Sequence, residues 1–232
     1  MIFKMNDNVT ISQCNKESDN NYNIIFDNGE KLTFTSDEVM EYGLYCENKI
    51  IDNFFDFCTL ILSKRMMAAN ASCVLFSNKT SFQVKKKLEV YVSEGNIDLQ
   101  WLPYGESAIN KALDRLEELG YIDDEAYAYK YANSALCSKC SSKNAVLNEL
   151  VYKKGISRDI AEKAIEDIYS KNDDLETDNL YKLLKKKIKS SFPQDKNSEA
   201  KIYRYAISKG FSYNDIERAL DKIKREAEES DE

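Results

Sequence analysis

The chain of 232 residues contains no histidine, only seven glycines and only two prolines. Without histidine, no side chain of ordinary pKa near neutrality is present to act as a general base or within a catalytic triad. The scarcity of glycine and proline disfavours a turn-rich all-β fold and favours helices. No apolar run is long enough to span a bilayer, and the first residues lack the apolar core of a signal peptide. We therefore expect a cytoplasmic protein that makes no membrane contact.

The six cysteines are scattered, which is not the pattern of a disulfide framework. Cys137 and Cys140 form a CxxC pair, but the chain lacks the second ligand pair that a zinc site needs. The strand that flanks a thioredoxin-like redox motif is also missing. We interpret the pair as a loop with two thiols. Since no glycine-rich phosphate loop occurs either, we expect no metal, no cofactor and no catalytic residues.

The net charge of −7 is unevenly distributed. Residues 169–225 hold 14 lysines and arginines against 9 acidic residues, whereas residues 226–232 hold five acidic residues and no basic one. Such asymmetry is typical of a surface that faces a polyanion, and equally of a solvated helix face beside a frayed end. Charge alone leaves both interpretations open.

One stretch of the chain is repeated. Residues 153–168 align without a gap to residues 208–223, so that Gly155 matches Gly210 and Ser157 matches Ser212. A weaker copy at 104–119 precedes both. Three copies at a spacing of about fifty residues predict a helical repeat array.

Each copy predicts a helix end, a tight corner and a second helix. Glycine favours the left-handed backbone that commonly follows a helix, and serine can cap the next helix by accepting a bond from a backbone N–H. Apolar residues then recur at helical spacing. The copies therefore predict a mainly α fold of tandem three-helix repeats, a curved helical array, preceded by a small N-terminal segment of β-meander and short helix.

The predicted segments follow from these patterns. The N-terminal segment combines three strands, a hairpin turn at Asp27-Asn28-Gly29 and a short helix capped by Ser36 or Asp37. Three strands alone are marginally stable, so we expect this segment to pack on a neighbour. The boundaries are 1–50 for the N-terminal segment, 51–120 for the first repeat with an insertion near 93–103, 121–170 for the second repeat, 171–227 for the third repeat and 228–232 for an acidic tail.

Four stretches carry a resemblance to a known family. LEELGYIDDEAYA at 116–128 resembles the junction between the first and second repeats of RecX, the bacterial regulator of the RecA recombinase. KKGIS at 153–157 and KGFSY at 209–213 are similar to the corresponding motifs of its second and third repeats, and VLFSNKTSFQV at 74–84 is more loosely similar to the start of the first. The chain departs from the family in the insertion near 93–103 and in a less basic loop at 137–142.

The resemblance implies fold and function together. RecX-like proteins are curved arrays of three-helix units that lie along the groove of the RecA filament on single-stranded DNA. They oppose filament growth and its recombinase, ATPase and LexA-cleavage activities, and so act in homologous recombination, DNA repair and the SOS response. They have no catalytic residues and no cofactor. The expected partner is the RecA nucleoprotein filament, with single-stranded DNA reached through the filament, and the expected state is a monomer.

Basic side chains are the candidates for this contact. They are Lys85, Lys86, Lys153, Lys154, Lys185, Lys186, Lys189, Lys201, Arg204, Lys209 and Arg218.

Two rival functions remain open. A helical nucleic-acid-binding protein acting without RecA is the first, although Glu162, Glu166, Glu217 and Asp221 lie on the helices that would enter a groove and phosphate would repel them. An enzyme is the second, and turnover of a nucleotide by the protein alone would distinguish it.

Overall fold

The computed structural model describes residues 7–72, 78–172, 174–188 and 196–230, with the backbone alone for Lys196 and residues 227–230. Over these residues the fold is mainly helical with a small N-terminal sheet, as the sequence predicted. The strands are β1 (Val9–Lys16), β2 (Asn21–Phe26), β3 (Lys31–Thr35) and β4 (Ile50–Ile51). The α-helices are α1 (Ser36–Tyr42), α2 (Phe54–Ala69), α3 (Ser81–Ser93), α4 (Gly105–Glu118), α5 (Asp124–Asn133), α6 (Lys143–Asn148), α7 (Arg158–Tyr169), α8 (Leu175–Ile188), α9 (Lys196–Ser208) and α10 (Tyr213–Ser230). None of the described helices combines the length and apolar character needed to cross a membrane.

The N-terminal sheet has four strands in the order β3-β2-β1-β4, and every neighbouring pair is antiparallel. The predicted three-stranded meander was therefore one strand short. Its fourth strand is only two residues long, where Ile51 pairs with Val9 and Ile50 with Thr10. Two residues cannot show the alternating pattern by which strands are recognised in a sequence.

Helix α1 begins at Ser36, earlier than predicted, because its cap is Thr35 rather than Ser36 or Asp37. The Thr35 hydroxyl accepts a hydrogen bond from the Glu38 N–H (3.3 Å), and the Glu38 carboxylate accepts one from the Thr35 N–H (2.9 Å). This reciprocal pair is a capping box, which satisfies two backbone donors at the helix start.

The chain divides into two compact units, and the first contains the described residues up to Asn78 together with Val84–Ile122. Its core brings the sheet together with the insertion between α3 and α4. Trp101, in a 3₁₀ turn at Leu99–Tyr104, is fully buried with its ring 5.3 Å from that of Phe34. The insertion is therefore folded into the core, and the sheet packs on a neighbour as expected.

Arg65 of α2 joins several elements of the first unit. Its guanidinium donates to the Glu38 carboxylate (2.7 and 2.5 Å) and to the Thr33 carbonyl (3.0 Å), and it lies 4.4 Å from the centre of the Trp101 ring. A fork of N–H donors over an aromatic face suits arginine and not lysine.

The second unit contains Lys79–Gln83 and the chain from Asp123 onward. It has two hydrophobic clusters, one formed mainly by α5–α7 and the other by α8–α10. We call these helix groups the second and third repeats. Helices α5 and α6 each run into a π-helical turn, at Ser134–Ser138 and Glu149–Lys153. Helix α7, Arg158–Tyr169, is the second helix that the repeated motif predicted after the corner at Gly155.

The repeated corners have the predicted backbone. Gly155 has a φ of 70° and Gly210 a φ of 90°, which is the left-handed region. Ser157 then accepts a hydrogen bond from the Ile160 N–H (3.4 Å), so it caps α7. Ser212 accepts one from the Asp215 N–H (3.2 Å) and caps α10 in the same way.

Candidate partner-binding surface

The corner at Lys154 and Gly155 receives the start of helix α3. The Thr80 hydroxyl donates to the Lys154 carbonyl (2.6 Å), and a Cβ placed on Gly155 would lie only 2.2 Å from Cγ of Phe82. Beside them, the Ser81 N–H and hydroxyl both donate to the Asp124 carboxylate (2.9 and 2.5 Å). Glycine is therefore required at this corner for space as well as for its backbone conformation.

The corner at Lys209 and Gly210 receives the start of helix α6 by the same chemistry. The Ser142 hydroxyl donates to the Lys209 carbonyl (2.7 Å), and the Asn144 amide donates to the Gly210 carbonyl (3.0 Å). Such bonds satisfy the carbonyls that a helix end leaves without partners. The recurring corner is thus a socket for the start of another helix, so its backbone belongs to the scaffold.

A half-buried glutamate and a buried asparagine complete the contact between the second and third repeats. Glu176, in the first turn of α8, accepts from the Lys143 N–H (3.0 Å) and from the Tyr169 hydroxyl, and burial raises its carboxyl pKa above 4.5. The amide of Asn179 donates to the Leu136 carbonyl (2.8 Å). Sequence reasoning missed both residues, because nothing in the sequence relates Glu176 to Lys143 or Asn179 to Leu136, each over 30 positions away.

The side chains of Lys153 and Lys154 are engaged within the second repeat. The Lys153 ammonium lies 3.6 Å from the Glu149 carboxylate, and the Lys154 ammonium lies 5.7 Å from the centre of the Tyr131 ring. The Tyr131 hydroxyl bond, and then these two lysines, hold the pKa of Glu149 below its usual value. Both candidate lysines therefore have intramolecular partners.

Lys185 also has intramolecular partners. Its ammonium donates to the Tyr181 hydroxyl (2.6 Å) and to the Glu226 carboxylate (2.9 Å), and these bonds raise the pKa of Lys185. This arrangement ties α8 to α10.

Two basic side chains meet at Tyr205 on α9. The Lys187 ammonium lies 3.4 Å from the centre of the Tyr205 ring, and the Lys209 ammonium lies 5.8 Å from it. Lys186 precedes Lys187 on α8, and Arg204 precedes Tyr205 on α9, so both adjoin this contact in the sequence. We call these five residues the Tyr205 cluster. Of its members, the sequence had not predicted Tyr205 or Lys187.

Four candidate cations are exposed and make no ion pair with any described residue. They are Lys186, Lys201, Arg204 and Arg218.

The other candidates are placed differently. Lys85 is half-buried and Lys86 exposed, both on α3 and in the first unit. Lys189 lies outside the described residues. Of the candidates, the structure places Lys209 beside the Tyr205 ring, and Lys186 and Arg204 adjoin this contact in the sequence.

The CxxC pair lies where α5 ends. Cys137 is exposed, and Cys140 is half-buried with a φ of 53°. Within the described parts of the chain, no group of three or more histidine, cysteine or acidic side chains could hold a metal ion.

Comparison with known proteins identifies similar chains. A family profile described as "RecX, third three-helix domain" matches residues 174–220, which begin just before α8 and end within α10. A "Regulatory protein RecX" of Clostridium botulinum (strain Alaska E43 / Type E3) is 33% identical over 141 residues, and the aligned part spans 60% of this chain and 58% of that relative. A protein of the same name from Chlorobium phaeobacteroides (strain BS1) is 32% identical over 53% of this chain and 76% of its own length.

A solved structure, described as the crystal structure of regulatory protein RecX, superposes with a TM-score of 0.58 over 92% of this chain and 99% of that one. At 16% identity this match concerns the fold alone. The three-helix repeats, the profile match in the third repeat and the similarity to the Chlorobium protein agree. The chain belongs to the RecX family.

Proposed function

We propose that this chain is a regulator that binds the RecA–single-stranded DNA filament and opposes its growth, and thereby its recombinase, ATPase and LexA-cleavage activities. Membership of the RecX family supports this proposal, since the similar relatives are named regulatory proteins. The chain acts by binding as a monomer and not by catalysis.

The observation that carries the proposal is the Tyr205 cluster. The ammonium groups of Lys187 and Lys209 lie at the Tyr205 ring, and Lys186 and Arg204, next to this contact in the sequence, make no ion pair with a described residue. Such cations attract an anionic partner over a distance of about 10 Å at moderate salt. The filament offers anionic partners in its DNA phosphates and in acidic protein side chains.

Acidic residues on α7 and α10 disfavour the rival in which this chain binds DNA alone. In that rival, α7 and α10 would enter a groove of the DNA, and Glu166, Glu217 and Asp221 are exposed on these two helices. Phosphate would repel each of them. The filament is therefore the preferred partner.

The test is the ATPase activity of RecA on single-stranded DNA, with this protein added below stoichiometry. The variant Lys186→Glu/Arg204→Glu reverses the two unpaired charges of the cluster. We expect it to need about tenfold more protein for half-inhibition, since charge reversal at an interface rim acts mainly through the association rate. The matched control is Lys130→Glu/Lys139→Glu, which makes the same charge change at two exposed positions of the second repeat.

The outcomes separate the candidates. Wild-type protein that leaves the ATPase rate unchanged at every ratio removes the RecA proposal. Equal inhibition by the folded double variant and by wild type removes the Tyr205 cluster as the contact. Tight binding to a bare single-stranded oligonucleotide, lost in the same variant, would instead favour the nucleic-acid-binding rival.

A further inference from the structure

The second and third repeats contain equivalent grooves between their first and third helices. The repeated motif aligns α7 with α10, so that Asp167 corresponds to Lys222. The contacts at the helix starts align α5 with α8, because Asp124 and Glu176 each accept hydrogen bonds from the start of another helix. With that alignment Tyr129 corresponds to Tyr181. The two grooves can therefore be compared position by position.

In the third repeat the groove holds a lysine of the chain itself. The Lys222 ammonium lies 2.8 Å from the Asp178 carboxylate and 4.9 Å from the centre of the Tyr181 ring. A cation between a carboxylate and an aromatic face is stabilised by both. Here an intramolecular side chain occupies the site.

In the second repeat the same groove is open. It forms a cavity of about 460 Å³ in which Ala126 stands in place of Asp178, and Asp167 stands in place of Lys222. Ala126, Ile160 and Ala164 give the groove an apolar floor, and Tyr129 keeps the aromatic face. The groove lacks a counterpart of the Lys222 cation and has a carboxylate where that cation is attached, while the Lys171 ammonium lies 5.4 Å from the centre of the Tyr129 ring.

The charges around the open groove are mainly negative. Three carboxylates line it, those of Asp123, Glu125 and Asp167, against one ammonium, that of Lys163. Lys163 pairs with Glu125 at 3.4 Å, and Asp123 accepts the Ala126 N–H at 2.8 Å.

The Asp167 carboxylate makes no hydrogen bond or ion pair with the described chain. Its charged neighbour Lys171 instead donates to the Tyr129 hydroxyl at 3.1 Å. A carboxylate at the edge of an apolar, aromatic groove is thus left without a counter-ion in contact.

We propose that the groove between α5 and α7 binds a lysine or arginine side chain of a basic segment on a protein partner. The aliphatic stem lies on Ala126, Ile160 and Ala164, and the charged head reaches Asp167 beside the Tyr129 ring. Lys222 in the third repeat shows the same arrangement with an internal ligand. Nucleic acid is repelled from this groove, so the contact is separate from the Tyr205 cluster and does not rest on RecA as partner.

The probe is a blocked peptide of alternating alanine and arginine, titrated into the ¹⁵N-labelled full chain. We expect saturable shifts of the amide signals of Ala126, Tyr129 and Asp167, and none from a peptide in which glutamate replaces arginine. Asp167→Lys supplies an internal ammonium as Lys222 does, and should weaken peptide binding about tenfold, since it replaces attraction by repulsion. Glu166→Lys is the matched control, because it makes the same charge change one residue away and outside the groove; its affinity should stay close to that of wild type.

Asp167→Asn keeps the shape of the side chain and removes only the charge, so it serves if the lysine variant does not fold; we expect about threefold weaker binding from it. Equal losses in Asp167→Lys and Glu166→Lys would mean that the peptide responds only to net charge, and would overturn the proposal. Shifts confined to residues around Tyr181 would overturn it as well. If the groove signals move on dilution without peptide, the occupant is a second copy of this chain and the partner is wrongly assigned.

Discussion

Replacing Gly155 with alanine should destabilise the second unit by two separable effects. The first is the backbone, because a φ of 70° costs an alanine about 1–2 kcal/mol. The second is the clash, because the new Cβ would lie 2.2, 2.4 and 2.5 Å from three carbon atoms of Phe82. Overpacking of this kind costs about 1–3 kcal/mol, so we expect a total loss of about 2–5 kcal/mol.

Urea denaturation followed by circular dichroism measures the loss, and two further variants divide it. Gly120 has nearly the same φ, 71°, but no atom lies within 4 Å of its added Cβ, so Gly120→Ala should show the backbone cost alone. In a Phe82→Gly background the three clashing carbon atoms are absent, and Gly155→Ala should then cost only about 1–2 kcal/mol. If Gly155→Ala costs the same with and without the Phe82 ring, the socket at this corner does not act as described.

Three further perturbations probe the contacts between helices in the second unit. Thr80→Val removes the donor to the Lys154 carbonyl and the cap of α3 at nearly constant shape, and should lower the free energy of unfolding by about 1–3 kcal/mol, because the carbonyl loses its donor and the Gln83 N–H loses its acceptor. Asn179→Ala should cost a similar ~1–3 kcal/mol through the Leu136 carbonyl. For Glu176, burial raises the folded-state pKa, so the folded state holds the proton more tightly and stability falls as the pH rises from the usual 4.5 through the raised pKa. Glu176→Gln should lack this decline.

Urea midpoints check all three predictions, each against its own control. Ser157→Ala removes only a helix cap, worth about 1 kcal/mol, and should cost less than Thr80→Val. An Asn179→Ala protein as stable as wild type would show that the Leu136 carbonyl finds another donor. Parallel pH profiles for wild type and Glu176→Gln would contradict the assigned pKa shift.

Local features of the fold were predictable from the sequence. The left-handed Gly155 and the cap Ser157 follow from backbone geometry within four residues, and both are confirmed. The capping box of Thr80 with Gln83 is equally local. The same Thr80 hydroxyl also bonds a carbonyl 74 positions away, and no local pattern signals that contact. Trp101 likewise reads as part of an insertion, although its ring fills the core beside Phe34.

For the candidate surface, the sequence predicts only which part of the chain is rich in basic residues. The sequence indicates that lysines gather in the third repeat, but it cannot tell which of them meet carboxylates or rings on other helices. Lys185 is held by Glu226 from 41 positions away, whereas Lys186 beside it makes no ion pair with the described residues. Which lysines are available depends on helix packing, which residue type alone does not determine.

The two sockets also bear on the order in which the chain is made. Thr80 bonds a carbonyl at position 154, and Ser142 bonds one at position 209, so each donor leaves the ribosome long before its acceptor. A nascent chain that has just completed α6 therefore carries the Ser142 hydroxyl exposed until α9 has been synthesised. Closing loops of 74 and 67 residues is slow compared with helix formation. The contacts at the starts of α3 and α6 therefore form only after the following repeat has been synthesised. A chain truncated before α9 would leave the Ser142 hydroxyl without the Lys209 carbonyl.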